Sequence, residues 1–598
     1  MTIRRAVHLC VLGSVLCTGV LGADTARGVR SLKKKLIQYG WGIPKPDFIR
    51  ENVRGMEKLP FDGLIFQLQG GRNILQPTQW DEAKFTEDYE NCKAIQWDKF
   101  TDNFVIMLAA SDQDWFNDAH WEAIEHNVRL VAKGARLARC VGVCFDAEPY
   151  GTNPWSYTQA AHKDTKSFAE YEAKVRQRGA QYIRAVESEL PGAKILTFFQ
   201  LSYFSQVLVP MDPAERARKI SLLHYGLLPA FLNGMLDAAS PKVRIIDGNE
   251  RAYYYTKSEQ YFRNYQAVTQ RGLLLVDPKN RAKYREQMQV GNALYVDQYF
   301  GLRTRKVLGH YLSPEERPKW FEHNVYWALY TADEYVWCYC ERMHWFKKQN
   351  IPPGAEAAIR SARQKLDGGE PLGIDIAPLV ETGETRRKEE IRKRLKPRKA
   401  DIHRRPQAVP PPKIDAVLDD AAWKQTRPLE PFVALAANPQ KLGAKTQAWV
   451  TYDSDSVYVA IRCDEPKPKR MKIVGEKHDD DVWIGEDVEV MIAPPGRTSP
   501  FFHFMVNPKG VPWDSIHGDV NNLKYSPSWT HAARIGSGEW TAEMAIPWTA
   551  LKMRTPPPGT TLRANLCRQR RHARELSAWS PMVKGFLEHE FFGTWVLK

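Results

Sequence analysis

Beyond its first 23 residues the chain has no apolar run approaching the ~20 residues of a bilayer-spanning helix, so no membrane span is expected. Cysteine is scarce. There are nine in 598 residues, and Cys10 and Cys17 fall within the first 23. The others (Cys92, Cys140, Cys144, Cys338, Cys340, Cys463 and Cys567) form an odd set without tight spacing. Neither a disulfide framework nor a zinc ribbon is expected from them. No Gly-x-Gly-x-x-Gly turn follows the first predicted strand, so dinucleotide binding has no support. Gly-x-Ser-x-Gly and His-Glu-x-x-His are both missing, so serine-hydrolase and zinc-protease chemistry lack their motifs. No cofactor and no metal is expected.

What is present is charge, tryptophan and a patterned start. The chain carries 85 Lys+Arg against 70 Asp+Glu, a formal charge of +15. Between residues 381 and 405 eleven basic residues face five acidic ones, so this short stretch alone supplies six of the surplus. It reads as a charged linker. No recognition motif accompanies it, and nucleic acid is not expected as a partner. Nineteen tryptophans are many for this length, and Trp serves either as core filler or as a flat face for sugar rings. At the start, Arg4 and Arg5 precede an apolar stretch from Ala6 to Val20, then Leu21-Gly22-Ala23. That order reads as a signal peptide over 1–23, and it predicts a secreted or periplasmic protein.

Between residues 30 and 370, strand-like and helix-like segments alternate. Strands are predicted at 35–41, 63–68, 103–110, 141–146, 194–201, 243–250, 292–300 and 335–340, with amphipathic helices between them. Eight such repeats predict a (β/α)8 barrel, and a doubly wound open sheet is the structural alternative. Residues 371–411, rich in charge and Pro, read as a linker. From 412 to 598 short strands separated by Asp, Ser, Gly and Pro predict a β-sandwich. The fold class is therefore α/β plus all-β.

The barrel is organised around Val141-Gly142-Val143-Cys144-Phe145-Asp146-Ala147-Glu148-Pro149-Tyr150. An apolar strand stops at two carboxylates, and period-two alternation points Asp146 and Glu148 the same way. In parallel α/β folds that strand end is where ligands bind. Other strand ends add Glu250, Asp297 and Glu341. Rings crowd the same ends: Tyr39, Trp41, Trp155, Tyr203, Tyr253, Tyr299, Trp337, Tyr339 and Trp345, with Gln69 after the second strand. Carboxylates among aromatic platforms suit glycosidic cleavage, in which one acid protonates the leaving oxygen and another attacks or activates water. Each acid also has a plain reading, as the partner of a strand-end base such as Arg251 or Arg342.

Two resemblances follow from these motifs. The Glu at the end of strand four, here Glu148 preceded by Ala147, resembles the acid/base of clan A glycoside hydrolases. Phe145-Asp146-Ala147-Glu148 also resembles the acidic ending of chitinase-type barrels. The first resemblance implies Glu148 as acid/base. For the second carboxylate Glu341 is preferred, since it follows an apolar strand and shares its face with Trp337 and Tyr339. Asp297 and Glu250 stay open, and Asp146 is read as a neighbour that positions Glu148. In the C-terminal part, four segments resemble family 9 carbohydrate-binding modules: Ile414–Trp423, Tyr452–Ala460, Glu486–Ile492 and Trp540–Pro547. There Trp423, Trp483 and Trp548 read as core, and Trp513, Trp529 and Trp579 as sugar-stacking candidates. Asp479, Asp480 and Asp481 read as an exposed acidic turn, with calcium as the alternative.

The resulting expectation is an exported glycoside hydrolase acting on a poly- or oligosaccharide. Its rivals are a non-catalytic carbohydrate-binding or cell-surface protein on an inactive barrel, and a polysaccharide lyase using a Tyr, His or Lys base.

Overall fold

The computed structural model describes residues 33–109, 113–518 and 525–598. The predicted signal segment lies outside the described residues. The chain divides into two compact units, residues 1–381 and 382–598.

The first unit is a parallel barrel. Its strands are β1 (Lys35–Gly40), β2 (Gly63–Phe66), β3 (Phe104–Leu108), β4 (Gly142–Asp146), β5 (Lys194–Thr197), β6 (Arg244–Asp247), β7 (Met288–Val290), β8 (Asn292–Tyr295) and β9 (Tyr335–Cys340). Each of β1 to β6 pairs with the next in sequence, β9 returns to β1, and β8 pairs with β9. The ring closes through one stretch of chain, 288–295. Its first half registers on β6 (Ile245↔Met288) and its second half on β9 (Asn292↔Val336). The change of partner falls at Gly291, whose N–H donates to the Asp247 carbonyl at 2.8 Å. A Cβ there would lie 2.9 Å from Ile246 and 3.0 Å from the Tyr335 carbonyl, so two strands meet where only a hydrogen fits. The open-sheet alternative is set aside by this closure.

The strands are buried along nearly their whole length, as expected when helices cover the outside and side chains fill the inside. Local signals start the helices. Asn117 accepts from the His120 N–H at 3.2 Å to begin Asp118–Leu137. Ser167 and Glu170 form a capping box that begins Phe168–Glu189. Trp121, Ile124, Val128 and Val131 face the core at helical spacing.

Several strand predictions ran too long; the second ends at Phe66 and the fifth at Thr197, and two others bear on the site. The seventh ends at Tyr295, and the chain turns into the short helix Val296–Phe300. Gly301 stops that helix in the left-handed region, at φ 68°, packed so closely that a Cβ would meet the His310 nitrogen at 2.6 Å. The sixth ends at Asp247. Asn249 then takes φ 43°, which Asn tolerates, and Glu250–Tyr254 form a 3₁₀ turn.

The second unit is a sandwich of two sheets. Four antiparallel strands form one sheet, and the other is built around Asp487–Ala493, Phe501–Val506 and Thr561–Arg570. Val459 and Ile461 from the smaller sheet meet Val490, Ile492 and Leu566 from the larger in one buried cluster. The expected linker is structured through most of its length. Ala377–Leu395 is a helix, and its Ile391 packs with Phe586 and Phe592. Lys399–Ile402 pairs in parallel with Gly593–Leu597. Charge density hid both: one apolar residue per few turns anchors the helix, and main-chain pairing holds the strand.

Candidate active site

A cavity of about 330 Å³ opens at the C-terminal ends of the barrel strands. Glu148, Glu250 and Glu341 all line it. Tyr39, Trp41, Tyr203, Tyr253, Trp337 and Tyr339 line it as well. Its floor is a packed set of rings. Trp337 stacks on Phe198 with centroids 4.1 Å apart, and Tyr339 stacks on Tyr39, Tyr253 and Tyr295 at 5.3–5.7 Å. The register explains the grouping, because Tyr39 lies opposite Tyr339 across β1 and β9 and both point inward. Trp337 also donates from Nε1 to the Gly248 carbonyl at 2.8 Å, so its polar edge is satisfied while its face stays apolar.

The rim differs from the floor. Trp41, Tyr254 and Tyr150 are 71, 60 and 59% exposed, the three most exposed large hydrophobic side chains described in this unit, and all three border this cavity. Water contact of that extent on three rings around one opening is the signature of a binding surface.

The acids sit in three different environments. Glu148 follows β4, and its Oε2 accepts from the Tyr150 hydroxyl at 2.8 Å. Its own N–H donates to Asp146 Oδ1 at 2.9 Å, which fixes the turn that presents it. Glu250 stands on the 3₁₀ turn after β6. Burial, reinforced by the charge of Glu148, pushes its carboxyl up to about 7. Glu341 follows β9 and is engaged by cations and hydroxyls: Oε1 accepts from Tyr295 at 2.8 Å and lies 3.5 Å from Arg303 Nη1.

Two of the expected acids lie beneath the cavity. Asp146 is fully buried. Desolvation, together with Glu148 and Glu250, holds its carboxyl well above the usual carboxylate range. Asp297 is also buried and accepts the Glu341 and Arg342 N–H groups, each at 2.9 Å. It positions the segment carrying Glu341 and does not face the cavity. The helical turn at Val296 explains this, because it takes Asp297 out of the strand alternation that the sequence implied.

Four expected binding residues lie elsewhere. Trp155 is buried against Trp115, Phe145 and Phe231. Tyr299 is turned by the same short helix into contact with Trp320 and Phe321. Trp345 is buried against Phe61 at 5.3 Å. Gln69 is exposed and accepts from Lys45 Nζ at 3.1 Å. In return the cavity includes Tyr150, Phe198, Ser202, Tyr254, Tyr295 and Arg303, which the motif reading passed over. Tyr150 was within reach of that reading, two residues beyond Glu148. Ser202 is brought in by Asp247, which accepts its N–H at 2.7 Å, and Arg303 arrives on a loop with no local signal.

Comparison with known proteins assigns the second unit. Residues 414–598 match the carbohydrate family 9 binding domain-like family. This family-9-like unit is similar to a family 9 carbohydrate-binding module from Caldicellulosiruptor kristjanssonii solved with cellotriose. That likeness has 13% identity and a TM-score of 0.23, over 34% of this chain and 94% of the other. The barrel is similar to a family 18 chitinase from Pseudoalteromonas aurantia, with 12% identity and a TM-score of 0.27 over 52% and 98% of the two chains. It is also similar to a family 5 glycoside hydrolase from Prevotella bryantii, with 10% identity and a TM-score of 0.30 over 57% and 98%. No curated protein matches the chain. In the family-9-like unit Trp423 and Trp548 are core as expected, while other tryptophans change roles. Trp483 is 39% exposed, whereas Trp513 and Trp579 are buried and Trp529 is half-buried.

Proposed function

We propose that this protein is an exported glycoside hydrolase whose barrel cleaves a poly- or oligosaccharide, with Glu250 as general acid and Glu148 as its anionic partner. The observation that carries the reading is the joint occurrence, in one ring-lined cavity, of an acid raised to about 7 and a second carboxylate whose charge helps to raise it. Glycosidic cleavage needs that division of labour. Protonated Glu250 delivers its proton to the leaving oxygen. The Glu148 carboxylate supplies the negative charge that an oxocarbenium-like transition state draws on. Glu341, already bound by Tyr295 and Arg303, serves to orient substrate hydroxyls. The rings of Trp41, Tyr150 and Tyr254 offer flat apolar faces to sugar units.

The lyase alternative is disfavoured by the same electrostatics. Its base would be drawn from the tyrosines of the cavity, yet burial pushes the Tyr39, Tyr253 and Tyr339 hydroxyls up, away from ionisation. In the family-9-like unit, carbohydrate binding is supported by the family match and by the exposed Trp483. Export is supported by the basic, apolar and small-residue order of residues 4–23.

The test is release of reducing ends from a polysaccharide panel by the full chain and by Glu148→Gln and Glu250→Gln. Turnover reduced by ~10²-fold or more in each folded variant is expected. Undiminished turnover in both overturns the assignment, and sugar binding without any release identifies a non-catalytic barrel.

A further inference from the structure

The family-9-like unit carries a second cluster of chemistry, apart from the barrel cavity. His478, Asp479 and Asp514 bring one ligand atom each to within 4.8 Å of one another. His478 Nε2 is 2.8 Å from Asp514 Oδ2 and 3.6 Å from Asp479 Oδ1. Zinc with ligand bonds of about 2.0–2.1 Å separates neighbouring ligand atoms by roughly 3.3 Å in a tetrahedron, so these two separations bracket the required edge.

An independent observation concerns Asp514. It lies on the strand Pro512–His517, is only 1% exposed, and its Oδ1 is buried with no hydrogen-bond partner. A buried carboxylate oxygen without a partner is costly unless something positive satisfies it. Its other oxygen, Oδ2, hydrogen-bonds to His478 and also accepts from Trp529 Nε1 at 3.0 Å, which holds the carboxylate in place. Trp529 in turn packs on His531 at 4.8 Å, and the Nδ1 of that imidazole is likewise buried without a partner. The other acidic cluster of this unit is different. Around Glu465, Glu486 and His572, Arg570 forks onto Glu465 at 2.7 and 2.8 Å and already neutralises it.

We infer that His478, Asp479 and Asp514 form a binding site for a divalent transition metal of the zinc class. One imidazole with two carboxylates favours zinc over calcium, which prefers an all-oxygen shell. On binding, the Nε2 lone pair of neutral His478 goes to the metal, and any proton held there is released to solvent. The remaining positions belong to water. The consequence is local order. The metal ties the loop carrying Trp483 to the strand carrying Trp513, two rings that already meet edge to face at 5.3 Å.

The experiment uses the full chain freed of metal with EDTA and titrated with Zn²⁺ by calorimetry. His478→Ala and Asp479→Asn run alongside, both at exposed positions where substitution spares the fold. One zinc per chain, bound at least tenfold more weakly in both variants, is expected. The thermal midpoint should rise with Zn²⁺ only in the parent protein. Absence of stoichiometric binding, or unchanged affinity in His478→Ala, overturns the site. Equal affinity for Ca²⁺ overturns the role of the imidazole.

Discussion

Tyr150 donates its hydroxyl hydrogen to Glu148 at 2.8 Å, from a position only two residues along the chain. The bond spans the turn at Pro149, so the strand-end acid and its donor are set by one piece of backbone. Glu250 reaches the same cavity from a different strand. Its carboxyl therefore responds to Glu148 through space, in a cavity lined by aromatic rings. The proposed chemistry rests on this raised Glu250 carboxyl beside Glu148.

The pH profile should show it. Glu250 must be protonated to act, and it loses its proton as pH rises through about 7. Measured kcat/KM should fall on the alkaline side with a midpoint near that value. Glu250→Gln should lose both the activity and that limb. A parent profile flat from pH 6 to 8 removes Glu250 from the role of acid.

Trp41 lies at the rim and is 71% exposed, so its ring is free to stack on sugar and contributes little to folding. Trp41→Ala should raise KM about tenfold, the equivalent of roughly 1.4 kcal/mol of lost stacking, with the thermal midpoint unchanged. By contrast Trp337→Ala removes a buried ring from the cavity floor and should cost about 3–5 kcal/mol in stability. Chemical denaturation with parallel kinetics separates the two effects.

Asp146 provides a stability test. Its carboxyl is raised by burial, so between the unfolded value and the folded one the native state holds a proton that the unfolded chain gives up. Stability should therefore decline as pH rises above the ordinary carboxylate range. Asp146→Asn keeps an acceptor for the Glu148 N–H and carries no charge to bury. It should flatten that decline in denaturation midpoints measured from pH 4 to 8. An unchanged slope means that Asp146 is not its source.

Gly291 closes the barrel, and the adjoining strands leave no room for a methyl group. Gly291→Ala should destabilise the barrel by about 1–3 kcal/mol through overpacking. Urea unfolding followed by near-ultraviolet dichroism would register it. Parent-like stability would mean that the two half-strands can part without loss.

Several features were legible in the residue order. Alternation placed Trp337, Tyr339 and Glu341 on one face, and all three line the cavity. The apolar run ending in Asp146-x-Glu148 marked the presenting strand. Other features were not. Trp155 and Trp345 looked like platforms because each follows a strand end, and nothing local showed that Phe231 and Phe61 would cover them. Short-range pattern favoured Glu341 over Glu250 as the partner of Glu148, since neither the Arg303 loop that engages Glu341 nor the depth of the 3₁₀ turn that buries Glu250 is written in it.

By itself the amino-acid order determined the two architectures, the positions of the parallel strands and the acid that ends the fourth, because these depend on periodicity and on turn residues a few positions apart. Tertiary structure alone decided which acid holds its proton. Burial and the charge of a residue 102 positions away set that choice, and both are sums over atoms that only folding brings together.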